Sequence, residues 1–147
     1  MINKLEFAKT IVKEAGSYLR EHLHDQLEIT VKTNPTDLVT QMDQEVQATL
    51  VGKIFEVYPE DHIFAEEDDL RAPIRSGKVW VIDPIDGTNN FVTQKEDFAI
   101  MVAYFEEGLG QFGLIYDVMR DHLFFGGKDF GVFCNDKELK PFQNRPL

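Results

Sequence analysis

WVIDPIDGTNNF, residues 80–91, decides how this chain is read. An apolar run reaches Asp83, Pro84 follows, and Asp86 leads into Gly87 and Thr88. A strand is expected over Val79–Asp83, ended by Pro84, which has no N–H to give to a ladder. A turn beginning there brings residues three apart onto one side, as helical spacing does, so Asp83 and Asp86 are expected to face one pocket. Two close carboxylates resist joint ionisation. A hard divalent cation removes that conflict, and Mg²⁺ typically takes one or two carboxylates, waters and a substrate phosphate in an octahedron. Gly87 lets the backbone approach a ligand closely. Thr88 brings a hydroxyl and an N–H, and a helical turn starting here would point free N–H groups at an anion. As a bare pattern, D-x-x-D-G-T fits a capped turn equally well, so the rest of the chain must decide.

Two other acidic stretches compete for attention. Glu66-Glu67-Asp68-Asp69 follows a short strand expected over His62–Ala65 and also reads as a solvated loop. DLVTQMD, residues 37–43, leads into a helix expected from Thr40 to Tyr58, where Asp43 also suits a first helical turn. Val46, Leu50, Ile54 and Val57 form that helix's apolar stripe. An earlier amphipathic helix is expected over Ile2–Leu23, with Leu5, Ala8, Val12, Ala15 and Leu19 on one face. His22 and His24 lie near its end and suit the dipole there. LEITVK, residues 27–32, alternates as a strand, and Thr33–Asp37 is turn chemistry. Further strands are expected at Phe98–Phe105, Gly110–Tyr116, His122–Phe125 and Val132–Phe133. Helices followed by a meander argue for an α+β domain: two helices packed on a roughly six-stranded antiparallel sheet.

Composition narrows the function classes. The chain has 147 residues, 43% hydrophobic, with twelve phenylalanines, enough for one core. The net charge of −11 disfavours nucleic-acid binding. Cys134 is the single cysteine, which excludes an internal disulfide and fits a reducing compartment. No window approaches the ~20 apolar residues of a membrane span, and the N-terminus lacks the apolar run of a secretory signal, so a cytoplasmic setting away from membranes is expected. His62 and His122 are expected at strand ends as surface or capping residues, since Mg²⁺ prefers oxygen.

Together, WVIDPIDGTNNF, FAEED and DLVTQMD resemble the inositol monophosphatase family of metal-dependent sugar phosphatases. They match its D-P-I-D-G-T-x-N-F, G-E-E and D-L-V-T-x-x-D signatures in order, and KTNPTDLVT resembles the approach to the last. The resemblance extends from the first helix through GVFCNDKEL. It implies hydrolysis of a small sugar or polyol phosphate, inositol monophosphate first, by a metal-activated water in an in-line displacement. It implies two or three Mg²⁺ ions. Glu66, Asp83 and the carbonyl of Ile85 would hold the first, Asp83 and Asp86 the second, and Glu66 would share a third, weaker one. Asp43 and Thr88 would orient and activate the water. Asp86, Gly87 and Thr88 would meet the phosphate, and Glu67 would stand behind the metal ligands. Two adjacent metals stabilise attacking and leaving oxygens, which agrees with the carboxylate argument above. The family's habit also suggests a homodimer.

Two departures qualify the match. Ala65 stands where the family has glycine, tolerable if its φ is negative. No W-D occurs, although the family's C-terminal α/β half carries W-D-x-A-A-G with another metal ligand. The chain is therefore expected to be the N-terminal part of the enzyme, weakly active or inactive alone, with one sheet face open as an apolar patch. TQKED, residues 93–97, reads as a solvated hairpin tip or as part of a pocket mouth. Alternatives on the same fold are phosphatases of 3′-phosphoadenosine 5′-phosphate, NADP or fructose 1,6-bisphosphate. The alternative from another class is a noncatalytic metal-binding or dimerisation module.

Overall fold

A computed structural model describes residues 3–22, 29–31, 38–65 and 76–140, with side chains described at all of these except 29–31, 38–40, 89 and 92. Helix α1 (Lys4–Glu21) starts where the Asn3 side chain accepts the Glu6 N–H, and it ends at His22. Ala8, Ile11, Val12, Ala15 and Leu19 recur at three and four and form its buried face. Strands β1 (Ile29–Val31) and β2 (Leu38–Thr40) pair antiparallel as a separate ribbon, and β2 runs straight into α2 (Gln41–Val57). The sequence pattern shows β1 but not β2.

The main sheet has seven strands, in the order β3 (His62–Ala65), β4 (Lys78–Asp86), β5 (Ala99–Glu106), β6 (Leu109–Asp117), β7 (His122–Gly127), β8 (Phe130–Cys134) and β9 (Lys137–Glu138). It exceeds the expected six by the two-residue β9, too short to carry an alternating pattern. It is also not wholly antiparallel: β3 and β4 run parallel, with Ile63 opposite Trp80. Helix α3 (Thr88–Thr93) lies between β4 and β5, so residues 94–97 form an exposed loop after a helix and not a hairpin tip.

Helices α1 and α2 cover one face of the sheet. Trp80 is fully buried there, with its ring against Phe7, Tyr58, Tyr104 and Phe112. Its indole N–H donates to Asp61 Oδ2 (2.9 Å), which also receives Lys4 Nζ (2.6 Å). Lys4 donates in addition to the Tyr104 hydroxyl (2.7 Å), tying the start of α1 to the sheet. A buried carboxylate is tolerable because cation and indole compensate it. At the other end of α1, Gly16 lets the helix touch the buried ring of Tyr116. The opposite face of the sheet carries Val81, Asp83, Met101, Ala103, Ile115 and Phe124 around a shallow cavity of about 590 Å³. That open, mainly apolar face is the one expected from the sequence. Among the described residues no helix is long and apolar enough to cross a membrane.

Candidate active site

The expected end of β4 at Asp83 is corrected by the structure: the strand passes through Pro84 and ends at Asp86. Asp83 pairs with Met101 and Asp86 pairs with Ala99, so three steps on β4 oppose two on β5. This is a β-bulge, the one place inside a ladder where a residue without an N–H is accommodated. The slip also resets the side-chain alternation. Residues three apart on a regular strand face opposite ways, yet Ile82 and Ile85 both join the helix-covered core. The same slip carries Asp86 to the side of Asp83. Where the sequence reading placed a turn between the two acids, the chain has a bulge within β4. Asp83 is half-buried and borders the open face, while Asp86 is exposed.

Gly87 follows in the left-handed region at φ 87°, ψ 41°. A Cβ there would lie 2.9 Å from the Asp97 carbonyl oxygen and 3.5 Å from Phe98 Cα, so only glycine fits. Helix α3 then begins at Thr88, as the helical-turn expectation required. The Thr88 hydroxyl donates to the Ile85 carbonyl oxygen (3.1 Å), and a Thr88–Asp43 pairing is not among the hydrogen bonds of the described residues. Phe91 N–H closes the first turn on the Gly87 carbonyl (2.9 Å), and Phe91 is fully buried edge-on to Phe98.

Asp43 occupies the first turn of α2 and is only 3% exposed. Its helix packs on β4, while β2, continuous with α2, packs on α3. The helix bearing Asp43 therefore adjoins the strand bearing Asp83 and Asp86, and the strand that leads into it adjoins the helix that begins at Thr88. Among the described residues no three His, Cys, Asp or Glu side chains gather closely enough to hold a metal. Glu66 and Glu67 lie outside the described residues, as do Asp37, Asp68 and Asp69. What the described part supplies is a hard, all-oxygen donor chemistry suited to Mg²⁺. Ala65 is fully buried at the end of β3 and is not among the described residues with positive φ, so its methyl is accommodated. Local pattern gives no signal for Asn90 and Asp97, which close the back of Gly87: Asn90 Nδ2 donates to the Asp97 carbonyl (3.0 Å).

Fold and site define an α+β protein in which a bulged strand delivers a D-x-x-D-G-T turn to the edge of a half-covered sheet. The chain belongs to the inositol monophosphatase family, whose family model matches residues 3–147. It is 41% identical over 141 residues to the Inositol-1-monophosphatase of Bacillus subtilis (strain 168), a match covering 94% of this chain and 52% of that protein. Among solved structures, the Thermotoga maritima IMPase superposes with a TM-score of 0.89 at 29% identity, covering 97% of this chain and 55% of the other. A staphylococcal IMPase-II bound to inositol monophosphate gives a TM-score of 0.77 at 32% identity, covering 96% and 50%. An IMPase/NADP phosphatase complexed with Mg²⁺ and phosphate gives 0.83 at 28%, covering 90% and 51%. The chain spans about half the length of the curated relatives it matches.

Proposed function

We propose that this chain carries the metal and phosphate side of an Mg²⁺-dependent phosphomonoesterase acting on a small polyol phosphate, inositol monophosphate first. The observation that supports it most is the bulge at Pro84, which turns Asp83 and Asp86 to one side immediately before Gly87 and Thr88. Asp83, Asp86 and the Ile85 carbonyl, with Glu66, would hold Mg²⁺. When bound, the ions supply charge neutralisation of the phosphate and a water of lowered pKa.

The chain's own groups do the rest. Asp43, buried and acidic, accepts the proton of the attacking water, and Thr88 orients that water through its hydroxyl. The hydrogen bond from this hydroxyl to the Ile85 carbonyl supports the role, because it holds Thr88 beside one of the proposed ligand atoms at the end of β4. The Gly87 and Thr88 N–H groups meet the phosphate, and Glu67 supports the ligands from behind. A further metal ligand and the substrate's hydroxyl contacts come from a second half of the protein. The relatives' greater length and the open apolar face both support that assignment. A cytoplasmic homodimer belongs to the same reading, on the resemblance and the lone cysteine alone.

The test is inorganic phosphate release from inositol monophosphate, NADP, 3′-phosphoadenosine 5′-phosphate and fructose 1,6-bisphosphate, with Mg²⁺ or EDTA. Slow, EDTA-sensitive release favouring inositol monophosphate is expected. Asp83→Asn should lower it at least ~100-fold, the scale of losing a charged group that stabilises the transition state. Full turnover by these 147 residues alone would overturn the two-half assignment. Mg²⁺ binding without hydrolysis, even in a longer form, would favour the noncatalytic module.

A further inference from the structure

We infer that Arg120 is a positioning residue: by bridging Asp97 and Asp117, it holds the 95–98 segment as a fixed back wall for the turn at Gly87. This rests on the reading of that turn as the phosphate-facing one.

The wall is made of backbone. The Asp97 carbonyl oxygen lies 2.9 Å from where a Gly87 Cβ would be, and Asn90 Nδ2 donates to it. Lys95 and Asp97 both have φ of 58°, a conformation that costs a non-glycine residue of order 1 kcal/mol or more and persists only where neighbours impose it. Arg120 supplies that constraint. Its Nη2 donates to Asp97 Oδ1 (2.9 Å) and its Nη1 to Asp117 Oδ2 (3.1 Å). Among the described residues, Asp117 Oδ1 is buried without a hydrogen-bond partner, so the guanidinium carries that carboxylate's compensation. The register closes the circuit: Asp86 pairs with Ala99, and Ala99 pairs with Asp117. One cation on β6–β7 therefore braces the segment that leads from α3 back into the sheet beside Asp86. A single exposed ion pair is ordinarily worth little. Here one guanidinium joins two carboxylates and opposes backbone relaxation at Asp97, so its effect is local to the Gly87 turn.

Arg120→Ala, Arg120→Lys and Asp97→Asn test this, the last keeping a side chain that tolerates positive φ. Amide hydrogen exchange reads the wall directly at Phe91, Gln94 and Lys95, whose N–H groups donate to the Gly87 and Asn90 carbonyls. We expect roughly fivefold faster exchange at these amides in Arg120→Ala and Asp97→Asn, partial recovery in Arg120→Lys, and no change in α1. In the wild type, about 0.5 M NaCl should produce the same local acceleration. Inorganic phosphate with Mg²⁺ serves as the ligand probe, and its Kd should weaken by a similar factor in the same variants. Unchanged exchange at the three amides, or acceleration spread evenly over the sheet, would overturn the inference. Faster exchange with unchanged phosphate affinity would also overturn it, leaving only a loop brace. If the wild type binds no phosphate, the functional reading fails, and exchange alone decides whether the wall exists.

Discussion

Gly16→Ala sets two known effects against each other, and the structure decides the sign. In mid-helix, alanine gains about 1 kcal/mol over glycine. At Gly16 the new Cβ would overlap Tyr116 Cε2 and come within 3.0 Å of Cδ2. That ring cannot step aside cheaply. It is fully buried, its hydroxyl donates to Asp121, and Arg20 Nη1 donates to the same hydroxyl at 3.0 Å. Overpacking a filled site costs about 1–3 kcal/mol. Each tyrosine hydrogen bond lost to ring movement adds about 1 kcal/mol. The net is a loss of about 2 kcal/mol, or a Tm drop of roughly 4–8 °C for a chain of this size. Gly52→Ala is the internal reference. It is also helical, nothing lies within 4 Å of its added Cβ, and it should raise Tm by about 2–4 °C. Thermal unfolding by circular dichroism measures both. If Gly16→Ala rises alongside Gly52→Ala, the close approach of α1 to β6 does not constrain the fold, and the packing argument is wrong.

Gly87→Ala should destabilise by about 2–4 kcal/mol, combining the left-handed backbone with contact against a backbone carbonyl, and should abolish phosphate release; urea unfolding and the release assay check both. Asp121 is held below the usual carboxylate range chiefly by the Tyr116 hydroxyl, against an opposing cost of burial, with Lys13, Arg20 and His122 adding to the depression. A depressed carboxylate stabilises the fold fully above its unfolded value of about 4, and that contribution disappears as pH falls through the folded value. Tyr116→Phe should therefore flatten the acid limb of Tm against pH below about pH 4, and an unaltered limb would exclude this pair as its source.

The signals legible in the linear chain were those that act over a few residues. The stripe of α1, the alternation of β5 and β6 and the apolar run before Asp83 each have a period set by the backbone itself, so no partner is needed to see them. Composition and the D-P-I-D-G-T stretch likewise marked Asp83, Asp86, Gly87 and Thr88 as a unit. The strand's extension through Pro84 was hidden, because a bulge exists only relative to the neighbouring strand that lacks the extra residue. The short β2 and β9 carry too few residues to show a pattern. The parallel β3–β4 pair depends on how the chain returns to the sheet.

Long-range approach accounts for the remainder. The sequence alone determined that an α+β domain carries paired acids beside a glycine turn, because those residues are contiguous and their chemistry is intrinsic. Only the tertiary structure decided which way Asp86 faces, why Gly87 must be glycine, and that Arg120 stands behind it. Asp97 meets Gly87 and Arg120 meets Asp97 across separations that no local periodicity encodes. They are set by the register of β4, β5 and β6, where one slipped residue turns an acid around.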